Sequence, residues 1–283
     1  MTGSIILNEN NLSPSGVFDA TITQAPFNRL TLNMRGLNLQ GRKIGVKKIN
    51  LYYSWPNVRS GTTVVIGWKV GASFNYYNWT IPKLTNFASV AELNSSLQTF
   101  CIANGLYHIT STGSNVYYLT LAANSSTYKI DLSLFKVPTS LPATYTQPSN
   151  FAGYPTVSCT PTFTIATGSE LKDLLGFATG LYDGATSAAV FSSIYVPQLN
   201  PVSCVFMTCN ICKNDVPING STVIQCFTTR NTEFGAMIEV QPSEITYYDV
   251  DSNSNNLEVQ FFDQNFNQLY VLDPQITIHL EVA

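Results

Sequence analysis

Cys209-Asn210-Ile211-Cys212 is the segment of this chain whose residue types and spacing come nearest to metal or redox chemistry. Two thiolates three residues apart share a metal when a tight turn points them together. The run from Val202 to Cys212 reads as extended, however, and on a strand residues 209 and 212 project to opposite faces. Cys204 shares a face with Cys212, but the residues between them span roughly 26 Å at about 3.3 Å each. No second Cys-x-x-Cys or nearby histidine completes four ligands, so these cysteines are expected to be small buried apolar side chains. A second candidate is Asp249, Asp251 and Asn253, which place oxygen at alternate positions like the opening of a calcium loop. Ser254 then stands where the sharp-turn glycine belongs and Gln260 where the bidentate glutamate belongs. A polar turn between strands is therefore the expected reading, with calcium the alternative.

Catalytic constellations are harder to find. The histidines are His108 and His279; the second falls on the polar face of a strand, without the acid and nucleophile that general-base chemistry needs. No Gly-x-Ser-x-Gly, phosphate-cradling loop or dinucleotide fingerprint occurs. The expectation is a protein that is not an enzyme, with no catalytic residues, no cofactor and no metal. Arg35, Arg42, Lys43, Lys47 and Lys48 form a basic cluster with no acid between them. It reads either as a contact patch for an acidic partner or as a solvated sheet edge that lysines protect from unwanted pairing; the absence of interleaved aromatics favours the edge. Tyr52, Tyr53, Trp55, Tyr76, Tyr77 and Trp79 could stack on sugars, although such spacings also suit core and interface residues.

The elements that must position these residues are short. Leu30, Leu32 and Met34 alternate with Thr31 and Asn33, the period of a half-buried strand. Further β-type runs follow at 48–53, 62–70 and 74–81, a hairpin at 115–134, and strands from 188 onward. The clearest runs from Gln275 to Val282, where Ile276, Ile278, Leu280 and Val282 alternate with polar residues. Two helices are expected, each with capping-box spacing: one from Ser89-Val90-Ala91-Glu92 to Gly105, the other from Thr167-Gly168-Ser169-Glu170 to Gly176. Many short strands with two short helices indicate an all-β fold, an antiparallel jelly-roll sandwich with a candidate second small β region. Residues 1–30 read as an arm, and five prolines between 137 and 161 as a long loop. The expected division is thus an arm (1–30), a jelly-roll core (31–136 and 200–283), and a loop with an inserted helix-strand region (137–199).

Composition narrows the function classes. Charged residues make up 11% of the 283, against about 25% in ordinary soluble domains. The formal net charge is −3, so the strong positive field of a nucleic-acid reader is missing and sequence-specific nucleic-acid binding is not expected. No stretch approaches the roughly 18 to 20 apolar residues of a membrane span, and the first nine residues do not read as a signal peptide. Fifteen Tyr, sixteen Phe and three Trp beside so few charges suit a protomer that shares much surface with copies of itself.

The order of segments resembles a known family. Phe74-Asn75-Tyr76-Tyr77-Asn78-Trp79-Thr80-Ile81-Pro82 followed by Ser89-Val90-Ala91-Glu92-Leu93-Asn94 resembles the strand, "ip" step and "s-x-x-eLn" helix of penton proteins from virophages and Polinton-type viruses, mavirus-like virophages above all. Tyr128 to Leu134, the proline loop, Phe163-Thr164-Ile165 and Glu170-Leu171-Lys172-Asp173-Leu174-Leu175-Gly176-Phe177 are similar to that family's next strand and "la-x-x-LGF" helix. Leu257 to Tyr270 and Gln275 to Val282 resemble its closing hairpin and final strand, with Phe266-Asn267 where the family has a turn glycine after Asp263. The resemblance covers about residues 48 to 282. It implies a jelly-roll minor capsid protein, a homopentamer occupying the fivefold vertices of an icosahedral virion among major capsid protein capsomers, assembled in a cytoplasmic virus factory of the host cell. It carries no catalytic residues. A binding module for glycan or host receptor is the alternative function.

Overall fold

A computed structural model describes residues 3–8, 13–15, 29–34, 39–213, 217–218, 221–229, 232–250 and 256–283. The chain divides into two units, Met1–Trp55 with Val202–Ala283, and Pro56–Pro201. Eight strands set the architecture of the first unit: β1 (Gly3–Leu7), β2 (Arg29–Asn33), β3 (Lys43–Tyr52), β4 (Val205–Cys209), β5 (Ser221–Phe227), β6 (Tyr247–Val250), β7 (Asn256–Phe262) and β8 (Thr277–Val282). One sheet runs β1-β8-β3-β6 and the other β2-β7-β4-β5, every pair antiparallel. First therefore pairs with eighth, second with seventh, third with sixth and fourth with fifth, the rolled-up hairpin of an eight-stranded jelly roll.

Alternation along the strands explains how the two sheets close on each other. On β8, Ile278, Leu280 and Val282 are buried while Thr277, His279 and Glu281 turn outward. Ile44, Ile49 and Leu51 of β3 join them, and from the other sheet Val205, Met207, Leu257 and Val259 complete one apolar core. Ile5 and Leu7 of β1 are buried in the same core. The expected N-terminal arm is thus corrected for residues 3–7: their alternation places Ile5 and Leu7 inward, and they form a sheet strand paired with the last strand of the fold. Within the turn after β7, Phe266 adopts φ 59°, the left-handed conformation that glycine supplies most cheaply. Asp263 holds that turn, its Oδ1 accepting from the N–H groups of Asn265 and Asn267 at 2.8 and 2.9 Å.

Residues 56–201 are inserted between β3 and β4. Their first sheet joins the hairpin Thr62–Val70 and Ser73–Ile81 to Thr162–Ile165 and Gly180–Asp183; a second joins Leu119–Asn124, Lys129–Leu134 and Ala189–Ser192. A third small sheet centres on Tyr107–Thr110. The division differs from the one expected because Thr162–Ile165 and Ala189–Ser192 complete sheets begun by 62–70 and 129–134. The region 137–199 therefore belongs with 56–136 rather than standing apart from it. The second β region is accordingly about as large as the jelly roll itself.

Helix α1 (Val90–Ala103) buries Val90, Leu93, Leu97 and Cys101 on one face. Ser89 Oγ accepts from Glu92 N–H at 3.2 Å, and Glu92 reaches back to accept from Ala88 N–H at 2.8 Å, closing the box one residue earlier than its usual partner. Gly105 follows at φ 66°, and a Cβ there would strike the Asn150 carbonyl oxygen at 2.0 Å. Helix α2 (Leu171–Leu175) ends at left-handed Gly176 as expected, but its capping box is absent. Glu170 instead accepts from the N–H groups of Arg59 and Ser60, and Ser169 pairs its hydroxyl with Thr62. No helix among the described residues is long and apolar enough to cross a membrane.

Candidate functional site

Lys43, Lys47 and Lys48 of the basic cluster lie on β3, which is flanked on both sides and so is no sheet edge. Lys43 stands 3.5 Å from Asp249 on β6, Lys47 3.1 Å from Glu281 on β8, and Lys48 2.6 Å from Glu239 on the neighbouring strand Met237–Val240. The acids missing from the local sequence arrive across the sheet. The Tyr247 hydroxyl also donates to Glu281 at 2.8 Å, and that bond followed by the Lys47 ammonium holds the Glu281 carboxyl below its ordinary range. Arg42 precedes β3 and is exposed, and its carbonyl accepts from Val250 N–H; Arg35 lies outside the described residues. Of the calcium candidates, Asp249 is the carboxylate paired with Lys43, while Asp251 and Asn253 lie outside the described residues.

The cysteines form two pairs that the sequence reading does not anticipate. Residues 210–211 turn the chain between β4 and Cys212–Lys213, so Cys209 and Cys212 meet as hydrogen-bonded thiols instead of projecting to opposite faces. Both are buried, and the hydrogen bond to Cys209, then burial, push the Cys212 thiol well above its ordinary range. Cys204 and Cys226 stand with their sulfurs 2.8 Å apart, one half-buried and the other exposed. Cys101 is fully buried on α1, where desolvation pushes its thiol up to about 12.

His279 is half-buried on β8, with a buried Nε2 that has no hydrogen-bond partner among the described residues. His108 is wholly buried in the inserted unit, Nδ1 2.7 Å from the Tyr118 hydroxyl and Nε2 3.0 Å from the Tyr154 hydroxyl. Phe151 and Tyr145 pack against the same ring, and burial lowers its pKa. No sequence motif marks this site: Tyr118 follows His108 by ten residues and Tyr154 by forty-six. Among the described residues, no three His, Cys, Asp or Glu side chains group in a way that could hold a metal ion.

Of the aromatic candidates, Tyr53, Trp55 and Trp79 are buried and serve the two cores. Tyr76 is the exception, at 68% exposure, stacked on Phe74 with 6.2 Å between centroids. Both rings lie over Gly67, where a Cβ would press on Phe74, Tyr76 and Thr162, and Lys69 Nζ sits 5.7 Å from the Phe74 centroid. In the jelly roll, a cavity of 260 Å³ opens between Asn8, Asn50, Tyr52, Met237, Gln275 and Thr277, with the buried Asn50 Oδ1 lacking a partner among the described residues.

The inserted unit carries a different surface. Leu181, Val190, Ile194, Tyr195 and Val196 are each more than half exposed, on the terminal strands of its two larger sheets and the segment that follows. The segment after the strand is hydrogen-bonded back to the unit. Ile194 and Tyr195 both donate N–H groups to the Gly176 carbonyl at 2.9 Å, and Ser193 Oγ accepts from Ile130 N–H while donating to the Tyr195 carbonyl. A Cβ on Gly176 would meet the Tyr195 oxygen at 2.2 Å, so the glycine also permits that close approach.

No protein-family model matches the chain, and no curated protein matches it. Among solved structures, the chain is similar to the selenomethionine-labelled mavirus penton protein, at 11% identity and a TM-score of 0.42, over 99% of this chain and 98% of that one.

Proposed function

We propose that this chain is a structural capsid protein, a homopentameric penton that occupies the fivefold vertices of an icosahedral virion and contacts major capsid protein capsomers. The observation that carries this reading is a jelly roll whose inserted unit holds large apolar side chains in solvent on edge strands and a segment hydrogen-bonded back to the unit. Jelly rolls are a recurrent capsid architecture, and exposed apolar groups in such number mark a surface that another chain covers. A ring of identical subunits supplies that cover through heterologous contacts, one side of each protomer against a different side of the next. The low charge and high aromatic content of the chain suit the same use. The order of segments described above adds the vertex position, the virion as location and a cytoplasmic virus factory as assembly site; catalysis has no part in this reading. Light scattering of the purified chain tests it: the expected species has about five times the 31.1 kDa of one chain, with fivefold rings in electron micrographs. Val190→Lys with Tyr195→Lys is expected to shift that species to monomer without loss of fold. A monomeric wild-type chain at high concentration overturns the reading.

One observation favours a second role, in binding glycan or a host receptor. Tyr76 and Phe74 form an exposed aromatic platform beside Lys69, the kind of surface on which sugar rings stack. Glycan-array binding that Tyr76→Ala abolishes is the result expected of it.

A further inference from the structure

We propose that Cys204 and Cys226 form a thiol–disulfide exchange site, which reacts with a low-molecular-weight disulfide and closes to an intramolecular disulfide across the β4–β5 pair. Their sulfurs stand 2.8 Å apart, and a bonded pair needs about 2.05 Å, so closure shortens the separation by less than about 1 Å. The strand register explains the approach: Phe206 faces Cys226 and Val205 faces Phe227, so Cys204 sits just beyond the last pair, diagonal to Cys226. The geometry is not that of a metal pair. Two thiolates on one tetrahedral zinc, with bonds of about 2.3 Å, stand about 3.8 Å apart.

Accessibility separates this pair from the remaining cysteines. Cys226 is exposed and Cys204 half-buried, whereas Cys101, Cys159, Cys209 and Cys212 are buried. The site therefore does not depend on the capsid reading, only on an oxidant that reaches the surface. With oxidised glutathione, the Cys226 thiolate attacks one sulfur, the glutathione S–S bond breaks, and one glutathione thiolate leaves and takes up a proton. The Cys204 thiolate, its proton lost to solvent, then attacks Cys226 Sγ and expels the second glutathione. Both cysteines are oxidised, and one oxidised glutathione becomes two reduced ones. Burial, followed by the Cys226 thiol beside it, pushes the Cys204 thiol of the reduced pair up to about 11, so the exposed Cys226 is the first of the two to attack. The product closes a loop through residues 205–225 and fastens the open end of β4 to β5, so the unfolded chain loses freedom.

The full-length folded chain is incubated with oxidised glutathione, then alkylated and mapped by mass spectrometry. The expected product has lost two hydrogens, contains a Cys204–Cys226 cross-linked peptide, melts at higher temperature by about 5 °C, and reverts with dithiothreitol. Cys204→Ser is expected to trap glutathione on Cys226 as a lasting mixed disulfide. Full alkylation of both thiols after prolonged exposure, a mixed disulfide on the wild-type chain that never resolves, or disulfide-linked dimers in place of the internal bond would each overturn the proposal. Because the decisive reading is taken on the wild-type chain, a variant that misfolds leaves it intact.

Discussion

His108 shows how much of this protein is decided one residue at a time. Its two ring nitrogens meet two tyrosine hydroxyls, and the ring packs against Phe151 at 4.7 Å. A neutral imidazole suits that site, donating from one nitrogen and accepting at the other; a protonated one adds a buried charge with no carboxylate among the partners named. Desolvation accordingly lowers its pKa below the ordinary 6.5, so the unfolded chain takes up the proton first. Stability from this group is whole above about pH 6.5 and is lost as pH falls through the folded-state pKa. Urea unfolding of the inserted unit is expected to show a lower midpoint at pH 5 than at pH 7.5, and His108→Gln to shrink that difference. An undiminished difference in the variant assigns the effect to carboxylates instead. None of this is legible in Leu106-Tyr107-His108-Ile109, because Tyr118 and Tyr154 approach only once the loops have folded. The position of Phe266 was legible in part. Its place in a turn that calls for glycine stands out in the sequence, while its ring packing against Phe206 at 5.1 Å is visible only in the fold.

At the scale of elements, the two helices separate local from long-range information. Ser89 and Glu92 cap α1 within four residues of each other, so the sequence alone predicts the start of that helix. Ser89→Ala is expected to destabilise the inserted unit by about 1 kcal/mol in urea titrations, the usual loss of an N-cap. Glu170 carries the same local signature, yet its carboxylate accepts from the backbone of residues 59 and 60, a partner 110 residues away that no local spacing announces. Glu170→Ala should therefore leave the helical circular dichroism of α2 untouched while costing about 1 to 2 kcal/mol of stability, because two N–H groups lose their acceptor. A loss of helicity would restore the capping role. The strands follow the same rule. β8 is plain in its alternation, whereas the pairing of 129–134 with 189–192 crosses the proline-rich stretch that reads as a boundary. Cys209 and Cys212 were misplaced for a related reason: a two-residue turn inside an apolar run carries neither glycine nor proline to mark it.

For the whole molecule, the arrangement of the cores argues that one fold has been set inside another. The jelly roll buries residues from both ends of the chain, and a separate apolar cluster lies within the residues between them. Each unit has about 140 residues, a size at which a single domain buries enough surface to be stable alone. The ends of the insert also meet: Asn57 donates to the carbonyls of Phe87 and Leu199 at 2.8 and 2.7 Å and accepts from Phe87 N–H at 3.1 Å. A side chain that bridges residues 57 and 199 brings the two crossings between units within one short linker of each other. Residues 56–201 expressed alone, and residues 1–55 joined to 202–283 by a few Gly and Ser residues, are each expected to unfold in one cooperative transition with near-ultraviolet dichroism intact. A fragment that is unfolded by itself would show that the jelly roll and its insert stabilise each other. The same two fragments locate self-association, since Leu181, Val190, Ile194, Tyr195 and Val196 all belong to the insert. If these side chains drive assembly, the 56–201 fragment associates, the spliced jelly roll does so more weakly, and Tyr195→Lys abolishes the association of the former. An insert that stays monomeric while the spliced jelly roll forms rings would move the contact onto the jelly roll and leave these exposed side chains for a different chain to cover.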